Sequence, residues 1–227
     1  MITVARVLTT IAILATLAGP AAAQARPPAR RPAPPPPKDT LLFHGFADIG
    51  GIALTASHSF ESILGSKSGV VFGGGGELVL PQRIFISVRA SRFQKSGSRV
   101  FVANGQTFDL GIPTDVSITP FEISAGYRFV RARASVIPYA GGGIGWHRYK
   151  ESSTFATATE NVDETFSGYQ LLGGAEIRAG RWIGIAGEVE WATVPNALGQ
   201  NSSGVSSTFA ETNLGGTTFR VKVVIGK

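Results

Sequence analysis

Hydrophobic and polar residues alternate one by one over much of this chain, most clearly in the segment FEISAGYRF, residues 121–129. Phe121, Ile123 and Ala125 fall on one side of the alternation, whereas Glu122 and Arg128 fall on the other. A two-residue period is that of a β-strand with one apolar and one polar face. The segment therefore predicts a strand that separates two environments of different polarity.

Eight segments are long enough to cross a membrane as tilted strands, which takes about 9 to 11 residues each. They are residues 42–54, 70–80, 84–93, 117–129, 137–149, 167–178, 182–192 and 214–225. No segment repeats its apolar residues with the 3.6-residue period of a helix, so we expect little helix. The pattern predicts an all-β fold over residues 40–227, a closed eight-stranded antiparallel up-and-down transmembrane β-barrel.

The connections between these segments alternate in length, which indicates the two ends of such a barrel. Residues 81–83, 130–136 and 179–181 are short turns, whereas 55–69, 94–116, 150–166 and 193–213 are long polar loops. We expect the turns to face the periplasm and the loops the exterior. Within one loop, RVFVANGQTFDL alternates around Asn104-Gly105, a pair typical of a two-residue hairpin, and predicts a protruding ribbon.

On the polar side of each strand, which is formed by every second residue, small residues occur with isolated charges. This composition suits the interior of a narrow barrel. The predicted lumen set is Asp48, Glu77, Arg89, Glu122, Arg128, Glu176, Arg178, Glu188, Glu190, Arg220 and Lys222. Acids and bases nearly balance in this set, as buried charges require. The expected role is structural, with an ion pathway or a binding site as the alternative. A soluble periplasmic barrel that buries its apolar face is the alternative to the membrane barrel.

The N-terminal residues resemble an export signal followed by a tether. Arg6, the apolar run 7–17 and Ala21-Ala22-Ala23 predict a signal peptide over residues 1–23. Residues 24–39 are proline-rich and predict an extended periplasmic linker or a disordered leader. Five of the chain's 21 Lys and Arg residues, and none of its 15 Asp and Glu residues, lie within residues 1–38. The basicity is therefore local, and no nucleic-acid partner is expected.

The motifs that suggest chemistry are weak. The glycine runs 73–76 and 141–143 lack the Lys-Ser/Thr and the helix that a phosphate-binding loop needs. We expect them to permit sharp curvature of the strands or to let a neighbouring aromatic ring lie across the backbone. The three histidines lack metal-ligand spacing and there is no cysteine, so no metal or cofactor is expected. His58-Ser59 in the first long loop is the one candidate for a hydrolytic site.

The segments FEISAGYRF, PYAGGGIGWHRY and GYQLLGGAEIRAGRWIGIAGEVEWATVPNALG resemble the outer-membrane β-barrel domain family, the small eight-stranded barrels of Gram-negative-type envelopes. Members of that family are variously structural, adhesive or lipid-modifying. The resemblance implies a monomeric outer-membrane protein in contact with lipid and lipopolysaccharide. We expect a non-enzymatic role in envelope structure or in surface interaction, with a partner at loops 55–69 and 94–116. A lipid A-modifying hydrolase or acyltransferase and a narrow pore are the alternatives.

Overall fold

Eight antiparallel strands close into a barrel in which each strand pairs with its neighbours in the sequence and the last pairs with the first. The computed structural model describes residues 41–103, 106–130, 135–153, 161–199 and 204–226. The strands are β1 (Leu42–Leu54), β2 (Ser68–Val79), β3 (Ile84–Ala103), β4 (Gln106–Arg128), β5 (Val136–Ser153), β6 (Val162–Arg178), β7 (Ile183–Thr193) and β8 (Gly216–Gly226). Two short helices accompany them, α1 (Ser57–Leu64) and α2 (Val205–Thr208). The predicted fold class is confirmed, and the predicted signal peptide and linker lie outside the described residues.

The strand positions follow the alternation closely, and the differences lie at the loop end. β1 has the predicted bounds, whereas β5 and β6 extend four or five residues further, because their pairing continues to Glu151 opposite Val162. The predicted ribbon is confirmed, since β3 and β4 stay paired as far as Ala103 opposite Gln106, with one irregularity between Ser98 and Val100. The two residues predicted to form its turn, 104 and 105, lie outside the described residues.

The apolar parity of the strands faces outward. Ile86, Ile123, Leu171, Ile185 and Val221 are all exposed on the barrel surface. The alternative of a soluble barrel with its apolar face inside is therefore wrong for this fold. Exposed aromatic residues lie toward both ends of the strands, with Tyr127, Phe129 and Trp182 near the turns and Trp146, Tyr169 and Trp191 near the loops. Two such rings of aromatics are typical of the two interfaces of a bilayer.

Inward-facing glycines make room for large rings in the narrow bore. The Phe85 ring lies across Gly126 and Gly141, where a Cβ atom would come within 2.5 and 2.9 Å of its Cζ. The Tyr139 ring lies against Gly174 in the same way, with 2.7 Å between its Cζ and an added Cβ. The glycine runs therefore serve packing, as their position within strands predicts.

Two apolar clusters lie inside the barrel, one toward each end. The cluster at the turn end includes Val79, Phe85, Leu172 and Val224. The cluster at the loop end is larger and includes Phe60 and Leu64 of α1 together with Leu54, Phe93, Val116, Ile118, Tyr149, Val194, Leu198 and Leu214. The turn-end cluster lies among charged residues, because its members Ala186 and Val224 line one small cavity with Glu77, Arg128 and Lys222.

The first long loop differs from its prediction as a purely polar loop. Within residues 55–69, α1 turns Phe60 and Leu64 inward, so that the helix covers the loop end of the barrel. A helix of eight residues shows only two apolar turns, too few for a helical period to stand out in the sequence. We refer to α1 as the lid below.

No helix among the described residues is long and apolar enough to cross a lipid bilayer.

The close approach of Phe85 to Gly126 predicts that position 126 tolerates no residue larger than glycine. Gly126→Ala would place a Cβ atom 2.3 Å from the Ala140 carbonyl oxygen and 2.5 Å from Phe85 Cζ, so we expect a loss of about 1 to 3 kcal/mol in the free energy of unfolding. Gly187→Ala is the matched control, because an added Cβ there meets no atom within 4 Å. Urea unfolding in detergent micelles measures both, and equal midpoints would contradict this packing.

Candidate functional site

The structure places the predicted lumen residues around one bore and pairs them. Of the eleven, nine are buried, and the other two, Glu77 and Arg178, are partly exposed toward the turn end. They form a central cluster at mid-height and a second cluster nearer the turns. The alternation of each strand puts them inside, and the register of the sheet sets which of them meet.

In the central cluster, Arg89 of β3 reaches across the bore to β7. Its guanidinium donates to Glu188 Oε1 at 2.5 Å and to Glu190 Oε2 at 2.7 Å. Arg220 lies 2.7 Å from Glu190 Oε2, and Lys222 Nζ donates to Glu188 Oε2 at 2.6 Å. Three cations thus surround two carboxylates, and each carboxylate is shared between two of them.

Asp48 and Glu122 complete the central cluster at slightly longer range. Asp48 lies 3.5 Å from Arg89 Nε and 3.6 Å from Arg220 Nε, and Glu122 lies 3.8 Å from Arg89. These separations exceed hydrogen-bond length, so the two carboxylates stabilise the cations through charge alone. With them, four acids face three bases in the middle of the bore.

The second cluster is centred on Arg128. This side chain lies between Glu77, at 2.5 Å, and Glu176, with which it makes a direct ion pair. Arg178 Nε lies 2.5 Å from the other oxygen of Glu176. His44 joins the far ends of the cluster, because its Nδ1 is 3.2 Å from Glu77 and its Nε2 is 2.8 Å from Arg178.

Three lumen residues in these clusters were missed by the sequence reading. His44 and Phe46 share the parity of Asp48 on β1, which was a usable signal. Tyr139 could not be assigned because both parities of PYAGGGIGWHRY are largely small or aromatic. Its hydroxyl donates to Glu188 at 3.0 Å, and the Lys222 ammonium lies 4.8 Å from its ring centroid and 5.1 Å from that of Phe46. The rings thus wall in the charges with favourable cation–π contacts.

This arrangement fills the interior with groups of opposite charge. Glu77, Glu176, Glu188 and Glu190 are each in contact with at least one cation, and Glu188 and Glu190 receive cations from more than one strand. Among the described residues, no group of three or more His, Cys, Asp or Glu is placed to hold a metal ion.

The hydrolytic candidate, His58-Ser59, serves instead to fix the lid. Ser59 is buried, and its hydroxyl donates to Glu211 Oε2 at 2.6 Å. The backbone N–H groups of Ser59 and His58 donate to the two oxygens of the same carboxylate, at 2.8 and 3.0 Å. The His58 ring packs against Phe209, with 5.4 Å between their centroids. The pair therefore lacks the histidine-to-serine hydrogen bond that activates a nucleophile.

Glu211 acts as an N-terminal cap for α1 from a distant part of the chain. The residue preceding the helix is Ala56, which makes no side-chain cap. The free N–H groups at a helix start carry partial positive charge and favour a carboxylate. Burial opposes the charge on Glu211, but the hydrogen bonds from Ser59 and His58 outweigh it and lower the pKa of this carboxyl.

Comparison with solved structures places the fold among small outer-membrane barrels. Neisserial surface protein A is 13% identical, with a TM-score of 0.53, over 82% of this chain and 96% of that chain. A major outer membrane protein from Thermus thermophilus is 9% identical, with a TM-score of 0.52, over 82% of this chain and 99% of that chain. No protein-family model and no curated protein matches the chain. At this level of identity the likeness establishes the fold alone.

Glu188 is the residue on which most of the central cluster converges. We expect Glu188→Gln to lower the free energy of unfolding by about 3 to 5 kcal/mol, because buried Arg89 and Lys222 lose their shared counter-charge. Asp163→Asn removes an exposed ion pair with Arg148 and should cost less than about 1 kcal/mol. Tryptophan fluorescence during urea unfolding measures both variants, and similar losses would contradict a tightly paired lumen.

The cap on α1 predicts a dependence of the lid on pH. Because the pKa of Glu211 is lowered in the folded protein, its stabilisation is complete above the ordinary value of 4.5 and is lost as the pH falls through the lowered pKa. We expect Glu211→Ala to cost about 1 kcal/mol of local stability at neutral pH and little in acid.

Hydrogen exchange of the Phe60 amide, which bonds to the Ala56 carbonyl, measures this local stability. Glu61→Gln is the control, since Glu61 lies on the exposed side of the same helix and pairs with Lys67, away from the helix start. Equal protection in the Glu211→Ala and Glu61→Gln variants at neutral pH would contradict the cap.

Proposed function

We propose that this chain is a non-enzymatic outer-membrane protein that spans the membrane as a closed barrel and acts through its loops. The observation that carries the proposal is the apolar outer surface of a closed sheet, with a band of exposed aromatic residues toward each end. Such a surface is costly in water, and lipid is the environment that removes the cost. An export signal over residues 1–23 and a periplasmic linker over 24–39 belong to the same proposal.

The filled lumen supports a structural role over transport. The central ion pairs span the bore from β3 to β7, and a large apolar cluster fills its loop end. An ion would have to break these pairs and pass this cluster, at a cost of several kcal/mol. The proposal therefore makes the barrel a membrane anchor and scaffold rather than a narrow pore.

The loop end supports a role in surface interaction. The ribbon of β3 and β4 carries exposed Phe101, Phe108 and Leu110 beyond the membrane-facing band. It borders a cleft of about 680 Å³, which is also lined by Ile63 of the lid and by Leu198. Exposed aromatic and aliphatic residues are the usual anchors of protein contacts. We assign the surface partner to this ribbon and to the exposed side of residues 55–69.

The proposal does not include lipid hydrolysis, since Ser59 is a buried residue of the lid whose hydroxyl is hydrogen-bonded to Glu211. It treats the barrel as a monomer, because the strands of the barrel wall are paired on both sides and leave no edge there for a second copy.

Cell fractionation and gel migration test the proposal directly. We expect the protein in the outer-membrane fraction, and we expect unboiled samples to migrate differently from boiled ones because the closed barrel resists detergent. The control fraction is a soluble periplasmic extract that contains no inner membrane. Recovery of the folded protein in that extract would contradict the proposal.

A further inference from the structure

A group of cations lies on the outer surface of the barrel, at the loop end of the lipid-facing band. Arg92 extends from β3, and Arg148 and Lys150 extend from β5. Between them, β4 contributes Ser117 and Thr119. The five side chains surround a depression of about 190 Å³, which we call the cation notch.

The sheet register stacks the cation notch in two rows. Thr119 pairs with Arg148, and Ser117 pairs with Lys150. Arg92 lies level with Thr119 on the other side, because the pairs Ala90–Phe121 and Phe93–Ile118 bracket these two residues in the register. Three strands therefore present their polar groups to the same point on the surface.

The aromatic residues directly below fix the depth of the cation notch. Phe121 pairs with Trp146, and the centroids of these exposed rings lie 6.2 Å apart. Outward residues recur every second position, so the first cationic row lies about 7 Å further along the strands. Aromatic rings of this kind mark the membrane interface, which places the cations at the depth of lipid headgroups.

The charges in the cation notch are only partly neutralised. Arg148 makes a two-point ion pair with Asp163, at 2.7 and 2.6 Å. Arg92 donates to the neutral Gln94 at 3.1 Å. In the part of the chain that the structure describes, Arg92 and Lys150 make no direct ion pair, although Asp163 lies opposite Lys150 in the sheet and also interacts with its charge. A net positive charge therefore remains beside two hydroxyl groups.

We propose that the cation notch binds the phosphate groups of a phosphorylated glycolipid, lipopolysaccharide, in the leaflet that surrounds the loop end. Phosphate oxygens accept hydrogen bonds from guanidinium, ammonium and hydroxyl groups, which are the donors present. A lipid is favoured over a free ion because the apolar band continues directly below, where the acyl chains of the same molecule can lie. This inference rests on the proposed outer-membrane location, and it adds a ligand and its binding residues.

The test uses the full chain folded in detergent micelles and native mass spectrometry. Bisphosphorylated lipid A and its dephosphorylated form are titrated against the wild type and against Arg92→Gln/Lys150→Gln. We expect the wild type to prefer the phosphorylated lipid, and the double variant to bind it about tenfold more weakly, equivalent to about 1.4 kcal/mol. The preference should also weaken as salt is raised, because the cations are exposed.

Two further variants control for charge and position. Lys67→Gln/Arg181→Gln removes the same two charges from exposed sites elsewhere and should bind as the wild type does. Arg92→Lys/Lys150→Arg keeps the charge in the cation notch and should retain most of the binding.

Inorganic pyrophosphate separates a lipid from a free ion. Displacement of lipid A by pyrophosphate at equal concentration would overturn the assignment to a lipid. Equal binding of the two lipid forms, or unchanged binding in Arg92→Gln/Lys150→Gln, would overturn the cation notch itself. Heat-modifiable migration of each variant is read in parallel, so that loss of the barrel fold is distinguished from loss of the ligand.

Discussion

The ion pairs between Arg89 on β3 and Glu188 and Glu190 on β7 cross the full width of the barrel, and the rest of the interior is arranged around them. An eight-stranded sheet encloses a bore only as wide as two facing side chains. A charge placed there cannot move to water, so it must find its partner inside the bore. Arg220 and Lys222 contact the same two carboxylates from β8, the strand next to β7, so three strands meet at this pair of acids.

The bore is also filled because large side chains on one strand face small residues on nearby strands. Where one strand has a large ring, such as Phe85 or Tyr139, its neighbours have glycine at the facing positions. These glycines look replaceable in the sequence, but the fold constrains them tightly because each one faces a particular ring. The charged side chains and the aromatic rings together fill the lumen, along with the two apolar clusters.

Most of the fold could be predicted from the alternation of polar and apolar residues, since a two-residue period indicates both that a strand is present and which side of the sheet each residue faces. It placed Asp48, Glu122 and Arg220 in the lumen without any knowledge of their partners. It could not place Tyr139, because glycine on one parity and small residues on the other leave no contrast between faces. It also could not foresee the lid, whose cap, Glu211, is distant in the sequence and has no local signature.

The position of Glu211 in the chain has a consequence for the order of folding. The carboxylate that holds α1 lies only a few residues before β8, although α1 itself directly follows β1. A contact between residues so far apart closes a long loop, and the entropy lost in that closure opposes it until other contacts hold the two ends together. The cap on α1 can therefore form only once the segment that precedes β8 has come back beside β1, so its hydrogen bonds report that the two ends of the sheet have met.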